Sequence, residues 1–121
     1  FRNPTPDNKG FAWSDIDPKW KFWNPVLFRA KLMHPLAERG FKIDMDSLRW
    51  CEACVLVMPC GRSAHLEIGW AAGAGKKTAI LLDSGEPELM YKIVDKIAIT
   101  TDEIIDWVRS LELAPISRRP R

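Results

Sequence analysis

The sequence predicts an α/β fold in which a parallel sheet carries helices on both faces. Short apolar runs alternate with segments of helical spacing over residues 53–111, and the valine-rich run at 53–58 ends at Pro59. This alternation is typical of a parallel sheet, because each strand must be followed by a crossover that returns the chain to the end of the sheet where the strand began. We therefore expect a three-layer, Rossmann-like (flavodoxin-like) architecture in one domain of 121 residues.

The N-terminal part, residues 1–24, is rich in proline, aspartate, asparagine and aromatic residues, which predicts a long irregular but ordered loop. Its tryptophans could stack on a planar ligand or cover an edge of the core, and the sequence leaves both open. Helical spacing follows over Pro25–Arg39, with a break expected at Pro35 and a stop at Gly40.

The central and C-terminal parts predict the alternating elements. A helix at Asp44–Cys51 leads into the 53–58 strand, and Ser63 is the expected N-cap of the next helix. The elements that follow are expected to be a helix at 64–74, a strand at 78–82, a short helix at 88–94, a strand at 97–99 and a helix at 102–111. A mobile basic tail is expected at 115–121.

Only three strands are evident, which is few for a wound sheet of this kind. The chain also begins abruptly at Phe1, without a methionine. We therefore expect that a preceding β-α unit of the fold is either absent from this sequence or supplied otherwise.

Composition narrows the classes of function. A net charge of +2 gives no electrostatic reason to expect nucleic acid as a partner. No apolar run approaches the roughly 20 residues of a membrane span, and the first residues show no signal-peptide pattern. We therefore expect a cytoplasmic protein with neither a nucleic-acid nor a membrane partner.

The three cysteines argue against a disulfide framework, because their number is odd. Cys51 and Cys54 form a C-x-x-C pair, and Cys60 and His65 could be imagined as further metal ligands, but no second pair completes a zinc site. Buried, reduced thiols are the better interpretation, and we expect neither a metal ion nor a cofactor.

Glu67 is the most informative residue of the chain. It is the only acidic residue in the 64–74 helix, and it shares an i, i+3, i+4 stripe with Ala64, Ile68 and Ala71 that should face the sheet. Burial raises the pKa of such a carboxyl, whereas the positive end of the helix favours the anion. A poorly solvated carboxylate after a parallel strand suits a nucleophile; a carboxylate that only complements the helix dipole is the simpler alternative.

The pattern over residues 42–94 resembles the nucleoside 2-deoxyribosyltransferase family. The resemblance rests on the buried strand, the sequence Gly-Arg-Ser-Ala-His-Leu-Glu-Ile-Gly-Trp-Ala-Ala-Gly at 61–73, and the two lysines followed by a strand. Its centre, a glutamate on a helix of small residues written Glu-x-Gly-x-Ala, is moderately specific.

The resemblance implies roles for individual residues. Glu67 matches the family's nucleophile, which attacks the anomeric carbon of the sugar, and Asp46 matches an acid that handles the departing base. Glu88 and Met90 match a segment that reaches into the neighbouring subunit's pocket, which implies a homodimer or higher homo-oligomer with a shared active site. The sequence departs from the family at two positions. Gly61 stands where some members carry a second acid, and Glu88 stands where some members carry an amide.

The chemistry agrees with these residue types. Retaining cleavage of a glycosidic bond uses a carboxylate at the anomeric carbon and a second acid about 5 Å away, roles that Glu67 and Asp46 could fill, with Asp44 as a competitor for the second. For Asp44 and Asp46, ordinary helix capping is the simpler alternative. Gly61, Arg62 and Ser63, at a helix start, would suit a phosphate if the guanidinium points inward. His65 could bind sugar hydroxyls, or could be a packed, hydrogen-bonded histidine.

Three functions follow from these observations. The first is a deoxyribosyltransferase-like enzyme that transfers a sugar between bases through a glycosyl-Glu67 intermediate. The second is a nucleoside 5′-monophosphate N-glycosidase, in which water resolves that intermediate. The third is a catalytically silent nucleotide-binding or sensor domain. In each, the small-molecule partner is a nucleoside or nucleotide.

Overall fold

A computed structural model of the chain describes residues 10–113. Two compact units divide the chain between Arg49 and Trp50. The α-helices are α1 (Pro25–Lys31), α2 (Pro35–Trp50), α3 (Arg62–Gly73) and α4 (Thr101–Leu113), and the strands are β1 (Ala53–Val57), β2 (Lys77–Leu81) and β3 (Lys96–Ala98). Short 3₁₀ turns lie at Trp13–Asp15, Trp20–Phe22 and Leu89–Ile93.

Aromatic rings pack on one another in the first unit. The half-buried Trp13 makes edge-on contacts with Phe11, Trp23 and Phe28, with ring centroids 4.7, 5.8 and 5.4 Å away. Such edge-to-face geometry is favourable for aromatic pairs. The described part of the predicted loop, residues 10–24, is thus ordered around this cluster, and residues 1–9 lie outside the described part of the chain.

Two helices follow the aromatic segment. Asn24 caps α1 by accepting a hydrogen bond from the Leu27 N–H at 2.8 Å, and Pro25 occupies the first turn, where its missing N–H costs nothing. The helix ends at Lys31, so the break expected before Pro35 is confirmed.

Gly40 does not end a helix, and this prediction is wrong. It lies inside α2, which runs unbroken to Trp50 and includes most of the segment predicted as a separate helix from Asp44. A Cβ at Gly40 would lie 2.9 Å from the Cβ of Phe11, so the glycine allows a close approach of the aromatic ring rather than a turn.

The second unit contains a three-stranded parallel sheet in the order β1-β2-β3, as an α/β fold requires. Val55 pairs with Ala79, and Ile80 pairs with Ile97. Helix α3 packs against β1 and β2, and α4 packs against β2 and β3. The core of this unit is a buried apolar cluster of Leu56, Met58, Ile68 and Ile80.

The start of α3 and the segment before β3 differ from the sequence prediction, and the other element ends of the second unit shift by at most two residues. Helix α3 begins at Arg62 with Gly61 at the N-cap, so Ser63 lies in the first turn and is not the cap. The segment predicted as a helix at 88–94 is the 3₁₀ turn Leu89–Ile93, where the carboxylate of Glu88 accepts a hydrogen bond from the Met90 N–H at 2.8 Å.

Asp95 anchors the connection that joins β2 to β3. Its carboxylate accepts a hydrogen bond from the N–H of the buried Thr78 at 2.9 Å. The Asp95 N–H in turn lies 3.0 Å from the Thr78 carbonyl and 3.3 Å from the Thr78 hydroxyl. These bonds fix the end of the connection to the start of β2.

No helix within residues 10–113 is long and apolar enough to cross a membrane. The basic tail predicted at 115–121 lies outside the described residues.

Candidate active site

The turn between β1 and α3 forms one side of the candidate site. Its Met58–Pro59 peptide bond is cis, and Met58 belongs to the buried core cluster. The Cys60 thiol lies 3.6 Å from the Met58 sulfur. Gly61 is exposed, with no heavy atom within 4 Å of the position that a Cβ would take.

His65 links this turn to the β2–β3 connection. Its Nδ1 lies 2.8 Å from the Gly61 carbonyl oxygen and its Nε2 lies 2.7 Å from the Tyr91 hydroxyl. Because a carbonyl oxygen can only accept, Nδ1 carries the proton, and in the neutral ring Nε2 accepts the hydrogen bond that Tyr91 donates. The two rings also stack, with centroids 5.7 Å apart and an interplanar angle of 25°. His65 is thus packed and hydrogen-bonded at both ring nitrogens, and its binding of sugar hydroxyls stays a prediction.

The Cys60 thiol also lies 3.7 Å from His65 Nδ1. That nitrogen donates to the Gly61 carbonyl, so it is not placed to take a proton from the thiol. Burial raises the pKa of Cys60 above the ordinary value of a thiol. Cys60 and His65 are therefore not arranged as a thiol and its activating base.

Glu67 lies on a different flank of α3 from His65. Two residues along a helix correspond to a rotation of about 200°, so the two side chains diverge. Glu67 is half-buried. Burial raises the pKa of the Cys54 thiol in β1 most, and electrostatic interactions with Cys51 and Glu67 raise it further.

Asp46 has the surroundings of an ordinary helix-surface acid. It lies in the last third of α2, not at the head of a helix, so the expected capping position is wrong. Its carboxylate pairs with Lys42 at 2.6 Å and Arg49 at 3.6 Å, and its side chain is 46% exposed. Asp46 belongs to the first unit and Glu67 to the second, so their pairing in one site stays a prediction.

The other residues predicted for substrate binding are exposed. Gly61, Arg62 and Ser63 lie at the start of α3, and no side chain caps this helix. Glu88 and Met90 are also exposed, and the Glu88 carboxylate is engaged with the Met90 N–H. Direct hydrogen bonds join two pairs of the predicted residues within the described part of the chain, Gly61 with His65 and Glu88 with Met90.

Sequence reasoning missed Tyr91 and Asp95. Two features of the sequence could have drawn attention to Tyr91: it directly follows Met90, and it is the only tyrosine of the chain. Among residues 10–113, the structure shows no group of three or more His, Cys, Asp or Glu side chains suited to hold a metal ion.

Searches of protein-family models, of curated proteins and of solved structures found no match to this chain. The resemblance to deoxyribosyltransferases therefore stays a prediction from the residues.

Proposed function

We propose that this chain is a nucleoside 2-deoxyribosyltransferase-like enzyme that transfers a sugar from one base to another. The proposal depends most on the position of Glu67. It is the only acid of α3, it is half-buried, and it lies on the helix that directly follows a parallel strand. A partly desolvated carboxylate in that position suits attack on an electron-poor sugar carbon.

The proposed reaction has two displacements at the anomeric carbon. In the first, a Glu67 oxygen forms a bond to that carbon while the bond to the base nitrogen breaks, and the base leaves with the electron pair and takes a proton from an acid. In the second, a nitrogen of the incoming base attacks the same carbon while the bond to the Glu67 oxygen breaks and releases the carboxylate, and the incoming base gives its N–H proton to the acid that the first step left deprotonated. Asp46 is the proposed acid, as the resemblance implies, and neither step requires a cofactor.

The proposal includes finer features of the fold and assembly. Helices would cover both faces of the sheet in three layers, and copies of the chain would form a homodimer or larger homo-oligomer. The exposed Glu88 and Met90 would contribute to the neighbouring subunit's pocket, which is the reason to expect assembly. A cytoplasmic location belongs to the same proposal.

One observation favours a nucleoside 5′-monophosphate N-glycosidase as the second candidate. No side chain caps the start of α3, so its N–H groups would suit a phosphate; Arg62 is exposed, so its guanidinium would have to turn inward to join them. In that reaction, water would resolve the glycosyl-Glu67 intermediate and free sugar phosphate would be the product.

The test is mass spectrometry of protein and products after incubation with a panel of deoxynucleosides and their 5′-monophosphates, with and without a second free base. We expect a sugar adduct on Glu67 together with base exchange. Glu67→Ala should lose turnover by at least about a thousandfold, because it removes the nucleophile. Glu112→Gln, which changes an exposed acid on α4, is the matched control and should keep full activity.

The outcomes separate the candidate functions. Free sugar phosphate without base exchange would favour the N-glycosidase. Binding of nucleotides without any product would favour the silent binding domain. An active Glu67→Ala variant would contradict the mechanism in both enzymatic forms.

A further inference from the structure

The connection between β2 and β3 is exposed over residues 83–90. It is fixed at both ends: the Leu82 N–H donates to the Ala98 carbonyl at 2.8 Å, and Asp95 is bonded to Thr78. Between these anchors lie Glu88 and Met90, the residues proposed to form part of a substrate pocket. Something must hold this exposed stretch in place if it is to form a defined wall of that pocket.

Tyr91 supplies a contact in the middle of the connection. Its hydroxyl bonds to His65 Nε2 at 2.7 Å and lies 3.8 Å from the Met58 sulfur. Its ring is half-buried and packs against the apolar core cluster. One side chain thus joins the connection to α3 and to the end of β1.

His65 completes the link on the side of α3. Its second nitrogen donates to the Gly61 carbonyl, so the imidazole is held at both nitrogens and cannot turn freely. This second bond fixes which nitrogen faces Tyr91. The hydrogen bonds from Gly61 to His65 and from His65 to Tyr91 therefore connect the β1–α3 turn to the residue that follows Met90.

We propose that Tyr91 and His65 are a positioning pair that holds the 86–93 segment against the start of α3. The pair does not take part in bond breaking, because His65 and Glu67 lie on different flanks of the helix. Its effect on substrate rests on the proposed function; its effect on the segment itself does not. The pair sets the position of Met90 and Glu88, which lie one and three residues before Tyr91.

Hydrogen exchange of the backbone amides tests the pair without any substrate. Tyr91→Phe removes only the hydroxyl, and we expect exchange in peptides covering 86–93 to become about fivefold faster, the factor that corresponds to a hydrogen bond of about 1 kcal/mol. Ser84→Ala is the matched control, because it removes a hydroxyl from the same connection that bonds only locally, to Asp83 at 3.0 Å. Equal exchange in the wild type and in Tyr91→Phe would overturn the proposal.

A double-mutant cycle tests whether the two side chains act together. His65→Leu should speed exchange of the same peptides about as much as Tyr91→Phe, and the double variant should exchange no faster than either single variant. If the increases in exchange rate caused by the two substitutions multiply in the double variant, the two side chains act independently, and this result would overturn the pairing.

The kinetic arm distinguishes this inference from the proposed function. With a deoxynucleoside substrate, Tyr91→Phe should raise KM about fivefold and leave kcat within about twofold, because binding is weakened and the chemistry is not. A fall in kcat at unchanged KM would contradict a positioning role. If the wild-type chain has no activity at all, the proposed function fails, while hydrogen exchange still decides whether the pair holds the segment.

Discussion

Gly40 shows how one neighbouring ring can reverse the usual effect of a residue in a helix. Glycine inside a helix normally costs about 1 kcal/mol relative to alanine, so replacement by alanine ordinarily stabilises. At Gly40 the added Cβ would lie 2.9 Å from the Cβ of Phe11, closer than such atoms approach without a shift of the backbone or ring. The ring of Phe11 also contacts Trp13, so a shift there disturbs the aromatic cluster.

We therefore predict that Gly40→Ala lowers the free energy of unfolding by about 1–3 kcal/mol, the range for overpacking a filled site. Gly69→Ala is the matched control, because Gly69 is also inside a helix and has no heavy atom within 4 Å of the new Cβ. The control should stabilise by about 0.5–1 kcal/mol. Urea unfolding measures both, and a gain of stability in Gly40→Ala would contradict the contact with Phe11.

Asp17 makes the stability of the aromatic segment depend on pH. Its carboxylate accepts hydrogen bonds from the Trp23 indole N–H at 2.8 Å and the Lys19 N–H at 2.9 Å. The Trp23 bond, followed by the Lys19 bond, holds the pKa of Asp17 below the ordinary value of 3.8. A carboxyl with a lowered pKa in the folded state stabilises above its unfolded pKa, and this contribution is lost as the pH falls through the folded value.

We predict that Asp17→Asn is less stable than the wild type at pH 7. The difference in stability between the two proteins should shrink as the pH falls below about 4. Thermal unfolding followed by tryptophan fluorescence at pH 7 and between pH 4 and 2 measures this. Asp44→Asn, at an exposed position of α2, is the control. A stability difference that stays constant down to pH 2 would show that the charge of Asp17 does not matter.

The β2–β3 connection depends on a short polar link at its end. Asp95 accepts a hydrogen bond from the N–H of Thr78, a residue that is only 1% exposed. Removing the carboxylate leaves that donor without this partner, and an unsatisfied buried donor costs about 1–3 kcal/mol.

We predict that Asp95→Ala lowers the free energy of unfolding by about 1–3 kcal/mol and that Asp95→Asn, which keeps an acceptor oxygen, costs about half as much or less. Urea unfolding, monitored by far-UV circular dichroism, compares the two variants. Equal losses in both variants would indicate that the charge matters rather than the acceptor.

The order of strands and helices was predictable because it depends on local patterns. Apolar runs bounded by Pro59 and by glycines identify the strands, and the break before Pro35 follows from the geometry of proline alone. The ends of elements were less predictable. The sequence predicts a helix stop at Gly40 because glycine commonly follows the last helical residue, whereas the approach of Phe11 is a tertiary contact that no local pattern reveals.

The candidate site was predictable in part, for a similar reason. The sequence predicts that His65 and Glu67 lie on one helix, and the helical period then places their side chains on different flanks of it. It could not show that His65 bonds to Tyr91, because those residues are 26 positions apart and are joined only by the fold. The predicted position of Asp46 at the start of a helix was wrong because α2 begins earlier than expected. Asp46 therefore lies inside α2, between Lys42 and Arg49, and pairs with both.

The whole sheet and its buried cluster lie on the C-terminal side of Arg49. Leu56, Met58, Ile68 and Ile80 form this cluster, and all three strands come from the same unit. A unit of about 70 residues buries only about 60% of the surface that its unfolded chain exposes, so its stability is expected to be marginal but cooperative.

We predict that the fragment Trp50–Arg121 folds alone, with an α/β circular dichroism spectrum and a cooperative urea transition at a lower midpoint than the full chain. The fragment with Ile80→Ala is the control and should lose the transition, because this substitution empties the centre of the cluster at a cost of about 2–5 kcal/mol. A fragment without any cooperative transition would show that residues before Trp50 are needed for the sheet.

The position of β1 in the sheet has a consequence for how the protein behaves in concentrated solution. Within the described residues, β1 has a strand neighbour on one side only, and its sequence, Ala-Cys-Val-Leu-Val, carries no charge. Such an edge is a template for pairing with a strand of another molecule, the first step of aggregation. Glu52 before the strand and Pro59 after it limit the length of that template to a few residues, which is the role of gatekeepers at exposed apolar strands.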